Sequence, residues 1–188
     1  MPTELHSLAK IFNNRFFRIP DYQRGYALGE RQVADFWSDL QRVAGTDRMH
    51  YCGQLTLELA DENEWRRWDD DIWLVEDAGY EPLFVVDGQQ RLATAIILLQ
   101  SLLEDLKEDD VLAGQRVSEL RERYLAKGNR VLKSCLFGYA KDNPSHEFYI
   151  KHQLEPYRQL FDVRSCLVSK NHHADLQRVI IISRHKES

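Results

Sequence analysis

Val85-Val86-Asp87-Gly88-Gln89-Gln90-Arg91-Leu92 decides how this sequence is read. The apolar run Leu83 to Val86 reads as a strand, Asp-Gly as a tight turn, and a strongly apolar helix begins at once. Asp87 stands where it would cap that helix, with Gln90 three residues on in the capping-box position. The first helical turn carries N–H groups without intrahelical partners and the positive end of the helix dipole, a natural seat for an anion. Gly88 has no Cβ to hold a phosphate away from the backbone, and Arg91 adds a planar fork of donors. Two readings stand side by side: a phosphate-binding corner, and an ordinary capped junction with an Arg on its outer face. Two adjacent glutamines and an Arg in one first turn are unusual for the second.

Downstream, Leu92, Ile96, Leu99, Leu103 and Leu106 recur at helical spacing, and Ala95, Leu98 and Leu102 widen the stripe. The expectation is a central buried helix running to Asp109-Asp110. Upstream, Ile72–Glu76 and Pro82–Val86 read as two arms of a hairpin through Asp77-Ala78-Gly79-Tyr80. Residues 60–71 are charged and Trp-rich and read as a hairpin tip or short surface helix. Leu55, Leu57 and Leu59 alternate with Gln54, Thr56 and Glu58 in a half-buried strand, where Gly53 signals a bulge or a close approach.

Nearer the N-terminus, residues 4–12 space Leu5, Leu8, Ile11 and Phe12 as a short amphipathic helix. Phe16–Ile19 reads as a strand, and Gly29-Glu30 opens a helix with Val33, Phe36, Trp37, Leu40 and Ala44 on its apolar face, stopping at Gly45. Between them lies Ile19-Pro20-Asp21-Tyr22-Gln23-Arg24-Gly25-Tyr26. Pro20 and Gly25 hold it out of regular structure, and two tyrosines bracket a second Gln-Arg pair. Polar side chains on a rigid loop with aromatic walls suit a small site; a tyrosine-rich loop packed on the domain edge is the plain alternative.

Past the central helix, residues 112–127 read as a helix with Ala113, Val117, Leu120 and Tyr124 on one face, and 130–137 as a strand. Residues 145–155 read as a helix entered through Pro144 and interrupted by Pro156. After Asp162 the pattern decays, and the apolar run Val179–Ile182 finds no evident place.

The 188 residues carry a net charge of −5, with 43% apolar and 29% charged residues. That is ordinary globular composition, with no overall basic field to draw in nucleic acid. Charge is uneven: residues 58–81 hold ten acidic groups against Arg66 and Arg67, and residues 116–188 hold fourteen Lys and Arg against eight Asp and Glu. Both stretches read as solvated faces. Cys52, Cys135 and Cys166 lie far apart, which argues against a disulfide framework and a zinc knuckle. No apolar leader and no run of eighteen apolar residues is present, so the expected location is the cytoplasm, with no membrane partner.

The segments Ile19–Tyr26 and Val86–Leu92 together resemble the two signature motifs of the GmrSD-type restriction N-terminal domain. Tyr51-Cys52-Gly53-Gln54-Leu55, and Leu136-Phe137-Gly138-Tyr139 through Asp142-Asn143-Pro144-Ser145, also fit, over roughly residues 1–160. The resemblance implies an α+β fold similar to the ParB and sulfiredoxin nucleotide-binding fold: a small mixed sheet packed with the helix after the DGQQR turn, plus a helical C-terminal part. It implies a nucleotide-binding core over 1–110, a helical extension over 111–162, and a poorly defined tail over 163–188 where a truncation would fall.

By the same likeness the domain binds and hydrolyses an NTP, GTP or CTP among the candidates, with Mg2+. It would do so in phage-defence systems that restrict modified foreign DNA. Asp87, Gly88, Gln89, Gln90 and Arg91 would form the nucleotide motif, with Tyr22, Gln23 and Arg24 lining the same cleft. Arg91 would neutralise phosphate charge, Gln90 would orient the attacking water, and Asp87 would position water or a divalent ion, or remain a plain cap. No metal ligand is firmly assigned.

Three departures qualify the likeness. Leu28 stands where the family often has Trp. Ala93 stands where Thr is common, removing a hydroxyl near the corner. Nothing in these residues resembles the His-Asn-His nuclease domain into which family members usually continue. Adjacent His172 and His173 make a poor metal pair, as do His146 and His152 six residues apart. Cutting is therefore expected from a nuclease on another chain, with nucleotide and modified DNA as the other partners. A non-hydrolysing nucleotide- or DNA-binding module, or an inactive truncated fragment, are the alternatives.

Overall fold

The computed structural model describes residues 3–44, 46–112, 114–129, 132–140 and 179–186. The expected helix over 145–155, the stop at Gly45 and the four histidines at 146, 152, 172 and 173 lie outside them.

The fold is α+β. Its centre is strand β4 (Glu81–Asp87), flanked by β3 (His50–Leu59), antiparallel to it, and β2 (Arg15–Ile19), parallel to it. Outside β2 lies β9 (Phe137–Tyr139), also parallel. Outside β3 lies β10 (Val179–Lys186), parallel to β3, and beyond it β1 (Thr3–Ser7), antiparallel to β10. The sheet order is thus β1-β10-β3-β4-β2-β9, a mixed sheet of six strands. Phe16, Phe17 and Ile19 of β2, Leu55 and Leu57 of β3, and Leu83 and Val85 of β4 supply its buried side chains.

Helix α5 (Gln89–Glu104) leaves the end of β4 and is buried on nearly all sides, Leu92 to Leu99 without a break. A helix apolar all round belongs in a core, not on a surface. It ends at Glu104, before Leu106 and the Asp109-Asp110 pair expected to stop it. Its last carbonyls find a partner in α6 (Val117–Tyr124): the Arg121 guanidinium donates to Leu103 O at 2.5 Å and Leu106 O at 3.1 Å. A cation there also suits the negative end of the helix dipole.

Several local readings are corrected. Residues 4–7 are strand, not helix; the helix is only α1 (Leu8–Ile11), entered through Ser7, whose hydroxyl accepts from Lys10 N at 3.3 Å. Ile72–Glu76 is helix α4, not a hairpin arm. Both hydrogen-bonding edges of β4 are already occupied by β2 and β3, so no edge remains for residues 72–76. They bury Leu74 instead, and Trp73 Nε1 donates to Ser134 Oγ at 3.0 Å.

The charged stretch before it forms helix α3 (Glu62–Trp65), capped by Asp61, the surface helix of the two forms expected. Helix α2 (Glu30–Val43) forms as expected but buries only Val33 fully; Phe36, Trp37 and Leu40 are half-buried. The helix expected over 112–127 is shorter. A two-strand ladder of β5 (Val111–Leu112) and β6 (Gln115–Arg116) precedes α6, and β7 (Ala126–Gly128) pairs with β8 (Lys133–Cys135) after it. The strand expected over 130–137 is therefore two, β8 and β9, split at Leu136. The apolar run at 179–182, left without a place by the sequence, lies in β10 between β1 and β3. Among the described residues no helix is long and apolar enough to cross a membrane.

Candidate functional site

Asp87 closes the C-terminal end of strand β4, and the chain turns into α5 through Gly88 at φ 90°, ψ 7°. This is left-handed backbone, which glycine enters without the steric cost borne by residues with a Cβ. Gly88 is itself the N-cap, and no side chain caps α5. The expected capping box of Asp87 and Gln90 is therefore absent. Asp87 ends the strand with its carboxylate 68% exposed, and Gln90 is engaged elsewhere. The consequence is physical: the first-turn N–H groups of a sixteen-residue helix keep their donor capacity at the positive end of its dipole.

The corner is tight on one side. A Cβ on Gly88 would come within 2.8 Å of Gln54 O on β3 and 3.0 Å of Leu55 Cδ1. Gly88→Ala is expected to lower stability by about 2–3 kcal/mol, combining left-handed strain with a clash against backbone that cannot swing aside. Gly79, at φ 69° with open space around it, is the control. There alanine meets the conformational penalty alone, about 1 kcal/mol. Urea denaturation of both variants measures the difference; equal losses would mean that the approach of β3 to the corner is slack.

The two Gln-Arg pairs meet through their glutamines. Gln23 Nε2 donates to Val85 O at 2.8 Å and Val86 O at 2.7 Å, tying the loop between β2 and α2 to the end of β4. In return, Gln89 Nε2 donates to Arg24 O at 2.9 Å and Gln90 Nε2 to Gly25 O at 3.0 Å. Gln90 Oε1 accepts from Ala27 N at 2.8 Å, so its amide is used at both ends. Gln89 is only 8% exposed, yet its Oε1 has no partner among the described residues. Tyr26 closes the lacing: its phenol lies 2.9 Å from Thr94 Oγ1, which donates to Gln90 O at 2.8 Å. Burial raises the Tyr139 pKa against the lowering effect of a hydrogen bond with the Tyr26 backbone.

The arginines go elsewhere. Arg91 Nη2 donates to Gln54 O at 2.5 Å and lies 3.8 Å from the Asp87 carboxylate, with the side chain 44% exposed. Its stem crosses β3 at Gly53 (φ 102°), where a Cβ would come within 3.1–3.3 Å of Nε, Cδ and Cζ. The close approach read from Gly53 is this one. Burial pushes the neighbouring Cys52 thiol up to about 12 against the lowering pull of Arg91, so it offers no thiolate near neutral pH. Arg24 and Tyr22 are exposed, and the Arg24 guanidinium makes no hydrogen bond or ion pair among the described residues.

Two contributors escaped the sequence reading. Gln54 acts through its backbone carbonyl, which residue type does not reveal. Thr94 supplies a hydroxyl one position after Ala93, which is itself buried in the core. Leu28, in place of the family's Trp, packs half-buried against the core. Among the described residues no group of three or more His, Cys, Asp or Glu is placed to hold a metal ion.

A family model described as the N-terminal domain of the GmrSD restriction endonuclease matches residues 8–182. No curated protein matches the chain.

Proposed function

The chain belongs to the GmrSD restriction endonuclease N-terminal domain family, and from that membership we propose that it binds and hydrolyses an NTP with Mg2+. It does so inside a phage-defence system that restricts modified DNA, with cutting by a nuclease on another chain. The observation that carries the reading is the mouth of α5: an uncapped helix N-terminus opened by a left-handed glycine, with a half-exposed guanidinium and an exposed carboxylate beside it.

The donors there suit a polyphosphate. First-turn N–H groups take phosphate oxygens along the dipole, and Gly88 allows their approach. Arg91 commits one donor to Gln54 O and keeps others in its planar fork for a phosphate oxygen. Mg2+, bound with the nucleotide, would supply positive charge to offset that of the phosphates. One protein carboxylate would be enough to hold it, and the exposed Asp87 would be that carboxylate. Gln90 serves as the brace of the Tyr22–Tyr26 loop. The unpartnered Gln89 Oε1 is an acceptor, so it receives a proton donor, a water or a hydroxyl, and not a phosphate oxygen.

Calorimetric titration with each of the four NTPs and Mg2+, followed by phosphate release under the same conditions, tests the proposal. Micromolar binding with turnover is expected. Binding without turnover would leave a nucleotide-binding module, and no binding at millimolar NTP would overturn the site.

A further inference from the structure

The two tyrosines of the Tyr22–Tyr26 segment have opposite fates. Tyr26 is buried with its hydroxyl on Thr94, whereas Tyr22 is 76% exposed, more than any other large apolar side chain among the described residues. An aromatic ring left in water on a mobile loop would mean little. This loop is fixed: Gln23 is tied to β4, Arg24 O and Gly25 O to the first two residues of α5, and Ala27 N to Gln90. Its hydrogen bonds use the Gln23 side chain, the Tyr26 hydroxyl and the loop backbone, which leaves the Tyr22 ring and the Arg24 guanidinium as the side chains of Tyr22–Tyr26 that it presents outward. Arg24 O is 2.9 Å from Gln89 Nε2, and Tyr22 stands two residues earlier, at most about 7 Å of chain away. The ring thus stands on a loop that is bonded directly to the first two residues of α5.

We infer that Tyr22 is the base platform of the site: the nucleobase stacks on its ring, with the polyphosphate directed to the α5 N-terminus. This rests on the phosphate reading above and adds what that reading leaves open, how a nucleotide is told from a bare polyphosphate. Every base has a π-face, so stacking grips the base without reading its hydrogen-bonding edge. Tyrosine suits the task because a ring with two torsions on a fixed backbone loses little freedom on contact. The Arg24 guanidinium, two residues on, adds a cation near the phosphates or a second flat surface.

The test compares an NTP with inorganic tripolyphosphate, which carries the phosphates and no base. The wild-type chain is expected to bind the NTP at least about tenfold more tightly than tripolyphosphate. Tyr22→Ala is expected to remove that advantage, weakening the NTP about tenfold and leaving tripolyphosphate unchanged, while Tyr22→Trp keeps it. Because the ring is exposed, the variants should match the wild-type thermal midpoint, which separates lost stacking from lost structure. If Tyr22→Ala binds the NTP as the wild type does, or weakens both ligands alike, the platform is overturned and the phosphate site stands. If the wild type binds neither ligand, the phosphate site fails and the platform with it.

Discussion

Arg91→Ala is expected to cut phosphate release from an NTP about 100- to 1000-fold while moving stability by only about 1–2 kcal/mol. The two numbers part because the side chain has one modest structural tie and a larger proposed chemical one. Structurally it donates to Gln54 O and sits 3.8 Å from Asp87, half in water. An exposed ion pair of that kind contributes about 0–1 kcal/mol, and one hydrogen bond about 1 kcal/mol more. Chemically, a guanidinium aimed at charge that grows in the transition state is in the class of group whose removal costs two to three orders of magnitude. Arg91→Lys should recover little, because an ammonium cannot hold Gln54 O and a phosphate oxygen together in one planar fork. Phosphate-release rates at saturating NTP, set beside urea denaturation, give both quantities. Turnover within about threefold of wild type would reduce Arg91 to a strut between α5 and β3.

What could be read beforehand follows from how far a signal reaches along the chain. The α5 stripe repeats over four turns, and β2, β3 and β4 carry apolar runs bounded by Gly, Pro or Asp, so local pattern sufficed. Ile72–Glu76 was not legible, because five apolar-rich residues suit a strand or a helix turn equally. Occupancy of β4 by β2 and β3 decides between them, and that is a tertiary fact. The 179–182 run had no local partner; its neighbours in the sheet begin at Thr3 and His50.

In the site, both Gln-Arg pairs were visible as motifs, and their glutamines lace the two segments together. The lacing itself was hidden, since a glutamine amide bonds backbone, water or ligand with equal ease. Asp87 has the sequence signature of a cap because aspartate favours that position. The left-handed Gly88 took it instead, letting β3 come against the corner.

The largest loss of stability is expected far from the α5 mouth, at Arg18. Inside the Phe-Phe-Arg-Ile strand it looks like one outward polar residue among apolar ones, yet its side chain is 3% exposed. Its guanidinium donates to Asp71 Oδ2 at 2.5 and 3.1 Å, to Phe17 O at 2.9 Å and to Cys135 O at 3.0 Å. The Phe16 ring centroid lies 4.9 Å from it. One side chain thereby pins β2 to the residue that leads into α4 and to the end of β8. Arg18→Met strands a carboxylate only 14% exposed, and Asp71→Ala strands the cation; each should cost about 3–5 kcal/mol. That is a large share of the roughly 5–15 kcal/mol that holds a domain folded. The double variant Arg18→Met/Asp71→Ala strands no charge, so its loss should fall short of the summed single losses by about 2 kcal/mol or more. It should not return to wild type, because Phe17 O and Cys135 O still lose their donor. Urea denaturation of the four proteins closes the cycle, and additive losses would mean that water reaches the pair and screens it.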